Sequence, residues 1–388
     1  MKYFLIAGEA SGDLHASHLM QAIIQQDPNA EFRYFGGEMM QAVGGTLLRH
    51  YRTLAYMGFW PVIRHLPEIL SGRRQCRRAI ADFNPQTVIL IDYPGFNLDF
   101  IAPWVKRKMP RTKVVYYISP KIWAWKSYRL RKIRKYVDLM LSILPFEVDW
   151  YHQRGYEVNY VGNPTVDELT AVKAQPFDRD AFCDRYELNA NQDIIAILPG
   201  SRKTEISYNL PVMIEGCCGF PGHQLVVAGA PSMTMDDYQP ILDNHRVVPP
   251  VKVVFNDQYS LLRASSVAAV TSGTATLETA YLEVPQVVCY ALKGGKLFYR
   301  IMKWALRHIR YVSLVNLLLD REAVRELLGP YFTVPNLRSE ISRLLENSRE
   351  ARRMKADYAE MIHILGPAGA PQRAAEAILK LLGSPGTA

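Results

Sequence analysis

The chain has few of the patterns that mark secreted, disulfide-bonded or membrane-spanning proteins. Its five cysteines form an odd, unpatterned set without a C-x-x-C pair, so neither a disulfide framework nor a zinc site is indicated. No stretch reaches the roughly 18 consecutive apolar residues that a membrane span requires. The N-terminal apolar run is too short for a signal peptide. We therefore expect a cytoplasmic protein that does not cross a bilayer.

Two common nucleotide-binding fingerprints are also absent. The first strand-like run, 2–7, leads into Gly8-Glu9-Ala10-Ser11-Gly12-Asp13, which is neither G-x-G-x-x-G nor a P-loop. Two carboxylates in this loop would repel a phosphate, so the loop suits sugar hydroxyls better than a nucleotide. We predict that the helix after it begins near Leu14 and that the sugar is contacted by Glu9, Ser11, Gly12 and Asp13.

The 388 residues exceed a comfortable single core, so two domains are expected. Short apolar runs alternate with helical patterns, which predicts two doubly wound, Rossmann-like parallel sheets with ligands at the carboxyl ends of the strands. The predicted strands are 2–7, 32–35, 87–91, 114–118, 139–144, 158–161, 194–198, 224–228, 251–254, 267–271 and 286–290. We predict domains at 1–165 and 166–340, and a helical tail at 341–388 that crosses back onto the first domain.

Two loops of the second half carry glycine and small residues directly after an apolar run. The run 194–198 leads into Pro199-Gly200-Ser201-Arg202, and the run 267–271 leads into Ser272-Gly273-Thr274. Glycines let backbone N–H groups approach an anion, and a following helix adds its positive end. The arginine offers a forked donor for phosphate oxygens, and Glu278, one turn into its helix, can accept from sugar hydroxyls. Either loop alone also suits a plain connection, but the pair favours a diphosphate joined to a ribose.

One carboxylate stands at the end of a buried strand in the first half. Val88-Ile89-Leu90-Ile91 precedes Asp92, which a parallel sheet would direct towards the ligand-binding edge. The side chain could deprotonate a hydroxyl, or it could bond backbone N–H groups at the start of a turn before Pro94. Spacing alone leaves both roles open. His15 and His18 follow the first loop and suit packing or capping.

An apolar, aromatic-bearing stretch at 57–70 is followed by the arginines at 73, 74, 77 and 78. This combination suits an element that lies on a lipid surface, although an amphipathic helix packed on its own sheet would look similar. A second candidate of this kind is 297–308. We predict that the membrane contacts of the first stretch are Phe59, Trp60, Ile63, Leu66, Ile69 and Leu70.

The net charge of +9 favours an anionic partner, and the run 121–135 has seven basic residues and no acidic one. Basic residues interleaved with aromatics could bind single-stranded nucleic acid. Because no nucleic-acid-binding module accompanies the run, we favour a positive wall that faces the cleft between the domains or a membrane.

Several stretches together resemble lipid-A-disaccharide synthase, a family of membrane-associated glycosyltransferases of the GT-B architecture. They occur in the family's order across roughly residues 5–330. The matching stretches are Gly8-Glu9-Ala10-Ser11-Gly12-Asp13, Ile91-Asp92 with Phe96-Asn97, Ser119-Pro120-Lys121-Ile122-Trp123-Ala124-Trp125, Leu144-Pro145-Phe146-Glu147, Leu198-Pro199-Gly200-Ser201-Arg202, Ser272-Gly273-Thr274-Ala275 with Glu278, and Tyr311-Val312-Ser313-Leu314 with Asn316.

The resemblance implies transfer of 2,3-diacylglucosamine from its UDP derivative to 2,3-diacylglucosamine 1-phosphate, with inversion and without a metal or other cofactor. It implies a protein bound peripherally to the cytoplasmic face of the inner membrane, with no nucleic-acid partner. Asp92 matches the family's essential aspartate and becomes the leading general base. Arg202 and Glu278 match the arginine that contacts UDP and the glutamate that binds ribose. The positions near the diphosphate are Gly200, Ser201, Gly273, Thr274 and Asn316.

Three positions depart from the family pattern. Gly95 stands where many members have a second aspartate, Asn163 replaces a common histidine, and Gly329 stands where a glutamine often follows Glu326-Leu327-Leu328. Two other functions are compatible with parts of the sequence. A sugar-nucleotide epimerase would share the architecture but would not need the 57–78 surface. A nucleic-acid-binding protein would explain the charge but not the paired glycine loops.

Overall fold

Two parallel sheets account for all the strands of the part of the chain that the structure describes. This computed structural model describes residues 1–53, 66–245, 247–291, 310–345 and 348–383. The seven-stranded first sheet has the order β3-β2-β1-β4-β5-β6-β7. Its strands are β1 Lys2–Ala7, β2 Glu31–Gly36, β3 Thr46–His50, β4 Thr87–Ile91, β5 Lys113–Tyr117, β6 Leu139–Ser142 and β7 Asn159–Tyr160.

The second sheet has six strands in the order β10-β9-β8-β11-β12-β13. In both sheets the order reverses beside the first strand, which is the doubly wound topology expected from the sequence. Its strands are β8 Asp193–Leu198, β9 His223–Gly229, β10 Lys252–Phe255, β11 Ser265–Thr271, β12 Gln286–Tyr290 and β13 Arg325–Leu328.

All eleven predicted strands are present, and the sequence reading missed two. The missed strands, β3 and β13, lie at sheet edges and carry charged residues among few apolar ones. The central strands instead read as continuous apolar runs. In β8, for example, every residue from Ile194 to Leu198 is buried, because helices cover both faces of a parallel sheet.

Helices fill the connections between strands. The first part of the chain contains α1 Ala10–Gln26, α2 Glu38–Val43, α3 Leu66–Phe83, α4 Pro94–Phe96, a π-helical turn Asn97–Ile101, α5 Ala102–Lys108, α6 Ile122–Trp125, α7 Leu130–Tyr136, α8 Pro145–His152 and α9 Pro164–Ala174. The remainder contains α10 Arg179–Arg185, α11 Lys203–Cys217, α12 Met235–Asn244, α13 Gln258–Ala264, α14 Thr274–Tyr281, α15 Leu314–Leu319, α16 Val334–Leu344, α17 Arg349–Leu365 and α18 Ala370–Leu382. Short 3-10 turns lie at Tyr51–Thr53, Ser127–Arg129 and Gly329–Tyr331.

The chain divides into two compact units, one formed by 1–167 with 367–388 and the other by 168–366. Helix α17, which we grouped with the C-terminal tail, is counted with the second unit. Helix α18 is counted with the first, where Ala374, Ile378 and Leu379 join the buried core that contains Leu19 of α1. Of the tail that we placed at 341–388, only the part from residue 367 onward is counted with the first unit. Within the described ranges, no helix is long and apolar enough to cross a membrane.

Candidate active site

The predicted site loops lie at the point where the strand order reverses in each sheet. In the first sheet β1 pairs with β4, so the loop after Ala7 and the loop after Ile91 are neighbours. In the second sheet β8 pairs with β11, so the loop after Leu198 lies beside the loop after Thr271. In open α/β sheets, ligands bind outside the carboxyl ends of the strands at this reversal. Each unit therefore brings two predicted loops together.

Asp92 follows β4 directly, and its side chain is open to solvent. The pKa of this carboxyl is raised because surrounding protein desolvates it, while the charge of Lys121 and the backbone N–H of Tyr93 act in the opposite sense. Solvent access limits how far burial alone can raise the pKa. The group is thus an accessible carboxylate whose pKa lies above that of an ordinary aspartate.

The neighbouring Gly8-Glu9 loop is shorter than the sequence suggested. Helix α1 begins at Ala10 rather than near Leu14, so Ser11, Gly12 and Asp13 lie in its first turns. The prediction was wrong because glycine and serine, which disfavour helix interiors, are tolerated in a first turn. The ring of Tyr93 leaves no room for a side chain at Gly8, because a Cβ there would lie 2.4 Å from that ring.

The carboxylate of Asp13 is buried and bound by the protein itself. It accepts hydrogen bonds from the backbone N–H groups of Gly37 (2.7 Å), Met39 (3.0 Å) and Met40 (3.3 Å), at the start of α2. These three donors occupy both carboxylate oxygens. Asp13 thus holds α2 against α1, which leaves Glu9 and Ser11 as the loop's less buried polar side chains.

A buried cluster missed from the sequence supports the 119–125 segment. Glu147, only 1% exposed, accepts from the Trp123 indole (3.0 Å) and from the Ser142 hydroxyl (2.5 Å). Burial raises the pKa of Glu147 to about 7, against the opposing influence of these bonds and of Lys121. The sequence marked Glu147 only as part of the family stretch Leu144-Pro145-Phe146-Glu147, and it did not predict the side chains that Glu147 binds.

Part of the basic run 121–135 is neutralised within the first unit. Asp99 pairs with Arg129 and with Lys132, each at 2.6 Å, and Arg129 is buried. Arg129 and Lys132 therefore form ion pairs within the first unit, whereas Lys121 and Arg131 are exposed.

In the second unit, the Gly200-Ser201-Arg202 loop leads into helix α11. Gly200 has φ +113°, which favours glycine, and a Cβ there would lie 2.7 Å from the Glu205 carboxylate. Glu205 accepts from the Ser201 backbone N–H at 3.2 Å and from the Arg202 guanidinium at 3.3 Å. Glu205 was not predicted, and its carboxylate joins the Ser201 backbone to the Arg202 side chain.

Glu278 lies on α14 near Gln258 and Glu168, which shift its pKa in opposite directions. Gln258 donates to its carboxylate at 2.5 Å. Burial and the like charge of Glu168 raise the pKa of Glu278 to about 7. Glu168 in turn accepts a hydrogen bond from Tyr259. None of these partners was predicted; Glu168, for example, is 110 positions from Glu278 in the chain (278 − 168).

The second glycine loop is open where a ligand would approach. A Cβ on Gly273 would meet no described atom within 4 Å, and Thr274 begins α14 beside it. Below the loop, the buried Asn209 side chain donates to the Pro199 carbonyl (3.1 Å) and to Thr271 (3.0 Å), and accepts from the Ala291 N–H (2.9 Å).

Asn316 is fully buried, and its amide is bound within the unit. The amide oxygen accepts from the backbone N–H groups of Ala323 and Val324, and the amide nitrogen donates to the Val324 carbonyl and to Glu326. Glu326 also accepts from the backbone N–H groups of Val312 and Ser313. Asn316 therefore fixes the loop after α15, and Glu326 links that loop to the residues before the helix.

Two of the three departures from the family pattern have local structural roles. Asn163 accepts from the Thr165 backbone N–H (3.0 Å) and so caps helix α9. Gly329 has φ +54°, a conformation that favours glycine over the glutamine often found there. Gly95 is exposed, and a Cβ there would meet no described atom within 4 Å.

The predicted membrane contacts Phe59, Trp60 and Ile63 lie outside the described residues, as does the stretch 297–308. The side chains of Leu66, Ile69 and Leu70, at the start of α3, are also not among those that the structure describes. Of the adjoining arginines on α3, Arg74 and Arg78 are exposed.

The sequence comparisons with known proteins agree on one family. The sequence model of the lipid-A-disaccharide synthetase family matches residues 3–379. The chain is 36% identical over 385 residues to the lipid-A-disaccharide synthase of Myxococcus xanthus, which covers 98% of this chain and 97% of that relative. It is 34% identical over 386 residues to the Chromobacterium violaceum protein of the same name, with coverage of 98% and 97%.

Solved structures of other families share the architecture. A putative UDP-N-acetylglucosamine 2-epimerase from Listeria monocytogenes has a TM-score of 0.66 at 14% identity, covering 98% of this chain and 96% of its own. S. aureus MnaA, solved together with UDP, has a TM-score of 0.67 at 13% identity and 99% coverage of both chains. At these identities the likeness shows the fold alone, which is the two-domain arrangement of GT-B proteins.

Proposed function

Because this chain belongs to the lipid-A-disaccharide synthetase family, we propose that it transfers 2,3-diacylglucosamine from UDP-2,3-diacylglucosamine to 2,3-diacylglucosamine 1-phosphate. The observation that carries this proposal is the family match across residues 3–379. The products are the β-1,6-linked lipid A disaccharide 1-phosphate and UDP.

The reaction is a displacement at the anomeric carbon of the donor sugar. The 6-hydroxyl oxygen of the acceptor forms the new C–O bond while the bond to the diphosphate breaks, and UDP leaves with the electron pair. Attack from the opposite face inverts the anomeric centre. We assign the hydroxyl proton to Asp92, since its raised pKa and solvent access support this role. Such a base contributes about 10²–10⁴-fold to a reaction rate.

We assign UDP to the second unit. Gly200 and Ser201 precede α11, and Gly273 and Thr274 stand at the start of α14, so both helices direct backbone N–H groups and a positive dipole end towards a diphosphate. The Arg202 guanidinium adds a charged donor. Glu278 accepts from the ribose hydroxyls. Asn316 supports the neighbouring loop through the buried bonds described above.

The acceptor side belongs to the first unit in this proposal. Glu9, Ser11 and Gly12 stand beside the Asp92 loop, where α1 begins, and offer hydrogen-bonding groups for a sugar. Asp13 fixes that helix rather than the ligand. The apolar stretch with Phe59, Trp60 and Ile63 and the adjoining arginines would give the acyl chains a route from the cytoplasmic face of the inner membrane.

Mass spectrometry of the products tests the proposal. The purified chain with UDP-diacylglucosamine and the monosaccharide phosphate should yield the disaccharide phosphate and UDP. Asp92→Asn keeps the shape but removes the base, so turnover should fall at least about 100-fold with UDP affinity unchanged. Asp184→Asn, which removes an exposed carboxylate from α10, is the matched control. The absence of disaccharide with the unaltered chain would reject the function, and near-normal turnover in Asp92→Asn would move the base to Glu9.

A further inference from the structure

The backbone around Asp92 is held in an unfavourable conformation. Asp92 and Tyr93 both have left-handed dihedral angles, with φ of +41° and +49°. At the end of the adjacent strand β5, Ile118 has φ +67°, which is uncommon for a β-branched residue. Such residues persist only where the surrounding structure enforces them, and they concentrate at functional sites. Particular contacts must therefore hold this turn.

Those contacts converge on the peptide groups of Asp92. Its backbone N–H donates at 3.1 Å to the carbonyl of Tyr117, the last residue of β5. Its carbonyl oxygen accepts from the Tyr116 hydroxyl at 2.6 Å and from the Asn97 side-chain amide at 2.9 Å. The same Asn97 nitrogen lies 3.3 Å from the carbonyl oxygens of Ile6 and Ile91. Three carbonyls around one amide group require its NH₂ end to face them.

Tyr116 suits this task because its hydroxyl is a permanent donor in a dry environment. The residue is fully buried on β5. Burial and the nearby Asp92 raise the pKa of its phenol well above the usual value, so the hydroxyl keeps its proton at every working pH. A hydrogen bond shielded from water restrains its acceptor more strongly than an exposed one.

We propose that Tyr116 is a positioning residue for the transfer reaction, holding the left-handed turn through the Asp92 carbonyl so that the carboxylate faces the acceptor hydroxyl. The inference rests on the proposed role of Asp92 as the base. Tyr116 contacts the backbone of Asp92 and not the reacting atoms. A displacement of about 1 Å in a catalytic group can reduce a rate about 100-fold, so loss of the hydroxyl should be visible in turnover.

The chain contains a matched control one residue away. Tyr117 lies on the same strand, is equally buried and points to the opposite face, in a different core cluster. Its hydroxyl has no hydrogen-bond partner among the described residues. Tyr116→Phe and Tyr117→Phe each remove one buried hydroxyl from β5, but only the first removes a bond to the Asp92 turn, because the Tyr117 backbone carbonyl that accepts from the Asp92 N–H is kept.

Steady-state kinetics on the full chain test the proposal. Tyr116→Phe should lower kcat about 10- to 100-fold while leaving KM and UDP affinity near their original values. Tyr117→Phe should retain the kcat of the unaltered chain, because the hydroxyl that it removes makes no bond to the Asp92 turn. In an Asp92→Asn background, Tyr116→Phe should add less than about a twofold loss, because it acts through the base that is already absent. Asn97→Ser, which removes the second donor, should lower kcat in the same manner as Tyr116→Phe.

Two results would overturn the positioning role alone: equal kcat in the two phenylalanine variants, or an undiminished further loss from Tyr116→Phe in the Asp92→Asn background. Failure of the underlying function looks different. If Asp92→Asn keeps normal turnover, the base assignment itself is lost, and this inference is lost with it. Thermal unfolding of each variant separates lost turnover from lost folding, and Asn97→Ser provides the second reading if Tyr116→Phe does not fold.

Discussion

Buried asparagines connect the strand ends that carry the candidate site in each unit. Asn97 binds carbonyls at the ends of β1 and β4, and Asn209 binds groups at the ends of β8, β11 and β12. A buried amide that loses its partners incurs a desolvation penalty of about 1–3 kcal/mol, so these networks define one loop geometry. Residues without a direct role in chemistry thus determine where Asp92 and the glycine loops stand.

Arg202 should contribute directly to UDP affinity. Its guanidinium is 63% exposed and paired with Glu205, so it can reach a ligand without unfolding its surroundings. Arg202→Ala should weaken UDP binding by about 1.5–3 kcal/mol, the typical contribution of a hydrogen bond to a charged group. Isothermal calorimetry measures this directly. Arg353→Ala, on the exposed surface of α17, should bind UDP normally. Unchanged affinity in Arg202→Ala would exclude the assigned contact.

Ribose binding should depend on pH through Glu278. The pKa of this carboxyl is raised to about 7, and the ionised form is the better acceptor for ribose hydroxyls. If only that form binds, the ionised fraction rises from about 0.1 at pH 6 to about 0.9 at pH 8, so affinity should increase about tenfold. Uridine is the suitable probe because it carries no phosphate that titrates in this range. A Glu278→Gln variant should bind uridine with a flat pH profile, and an identical slope in both proteins would contradict the assignment.

At the scale of elements, helix α18 completes the first unit from the end of the chain. Asp167 accepts from the backbone N–H groups of Gly369 (2.6 Å) and Ala370 (3.2 Å), which caps the helix start. Arg373 donates to the Val161 carbonyl at 2.9 Å. The apolar face of α18 is then buried beside α1, so residues near both ends of the chain form one core.

This packing predicts a local cost for shortening one side chain of α18. Ile378 is fully buried, so Ile378→Ala should lower the unfolding free energy of the first unit by about 2–5 kcal/mol through lost burial and a residual cavity. Chemical denaturation measures this loss of unfolding free energy, and hydrogen exchange of the amides in α1 and α18 locates it. Lys380→Ala, exposed on the same helix, should change stability little. UDP affinity should remain unchanged in both variants, and equal stability of the two would show that α18 contributes little to this core.

Elements with a strong local pattern were predictable, and those defined by their neighbours were not. Central strands such as β8 are recognisable because burial on both faces demands an unbroken apolar run. The edge strand β13, Arg-Glu-Leu-Leu, lacks that pattern, since it forms by pairing with β12. Similarly, the glycine loops and Asp92 stand out in the sequence. Their supports Tyr116, Glu205 and Glu168 do not, because a hydroxyl or carboxylate signals nothing until folding supplies its partner.

At the scale of the whole molecule, the two units repeat one topology with different chemistry at the same place. Each sheet reverses its strand order beside its first strand, and the loops at that reversal carry the candidate residues. In the first unit those loops hold the carboxylates Glu9 and Asp92, and in the second they hold Gly200, Arg202 and Gly273. Carboxylates accept from hydroxyls, whereas backbone N–H groups at helix starts, joined by Arg202, attract phosphates, which is why we propose different units for the acceptor and the nucleotide.

The net charge of +9 and the 57–78 stretch predict reversible binding of the whole molecule to an anionic bilayer. Each large apolar side chain that becomes buried contributes about 1.5–3 kcal/mol, and each nearby arginine about 1 kcal/mol. Replacing Trp60, Ile63 and Leu66 together with serine should therefore release the protein from anionic liposomes in a sedimentation assay, while UDP binding persists. The matched control replaces three exposed apolar residues elsewhere, Ile24, Met235 and Val248, and should sediment as the unaltered chain does. Added salt should weaken binding of the unaltered chain by screening the arginines. Sedimentation of the 60/63/66 variant at the original level would show that these side chains belong to an ordinary core.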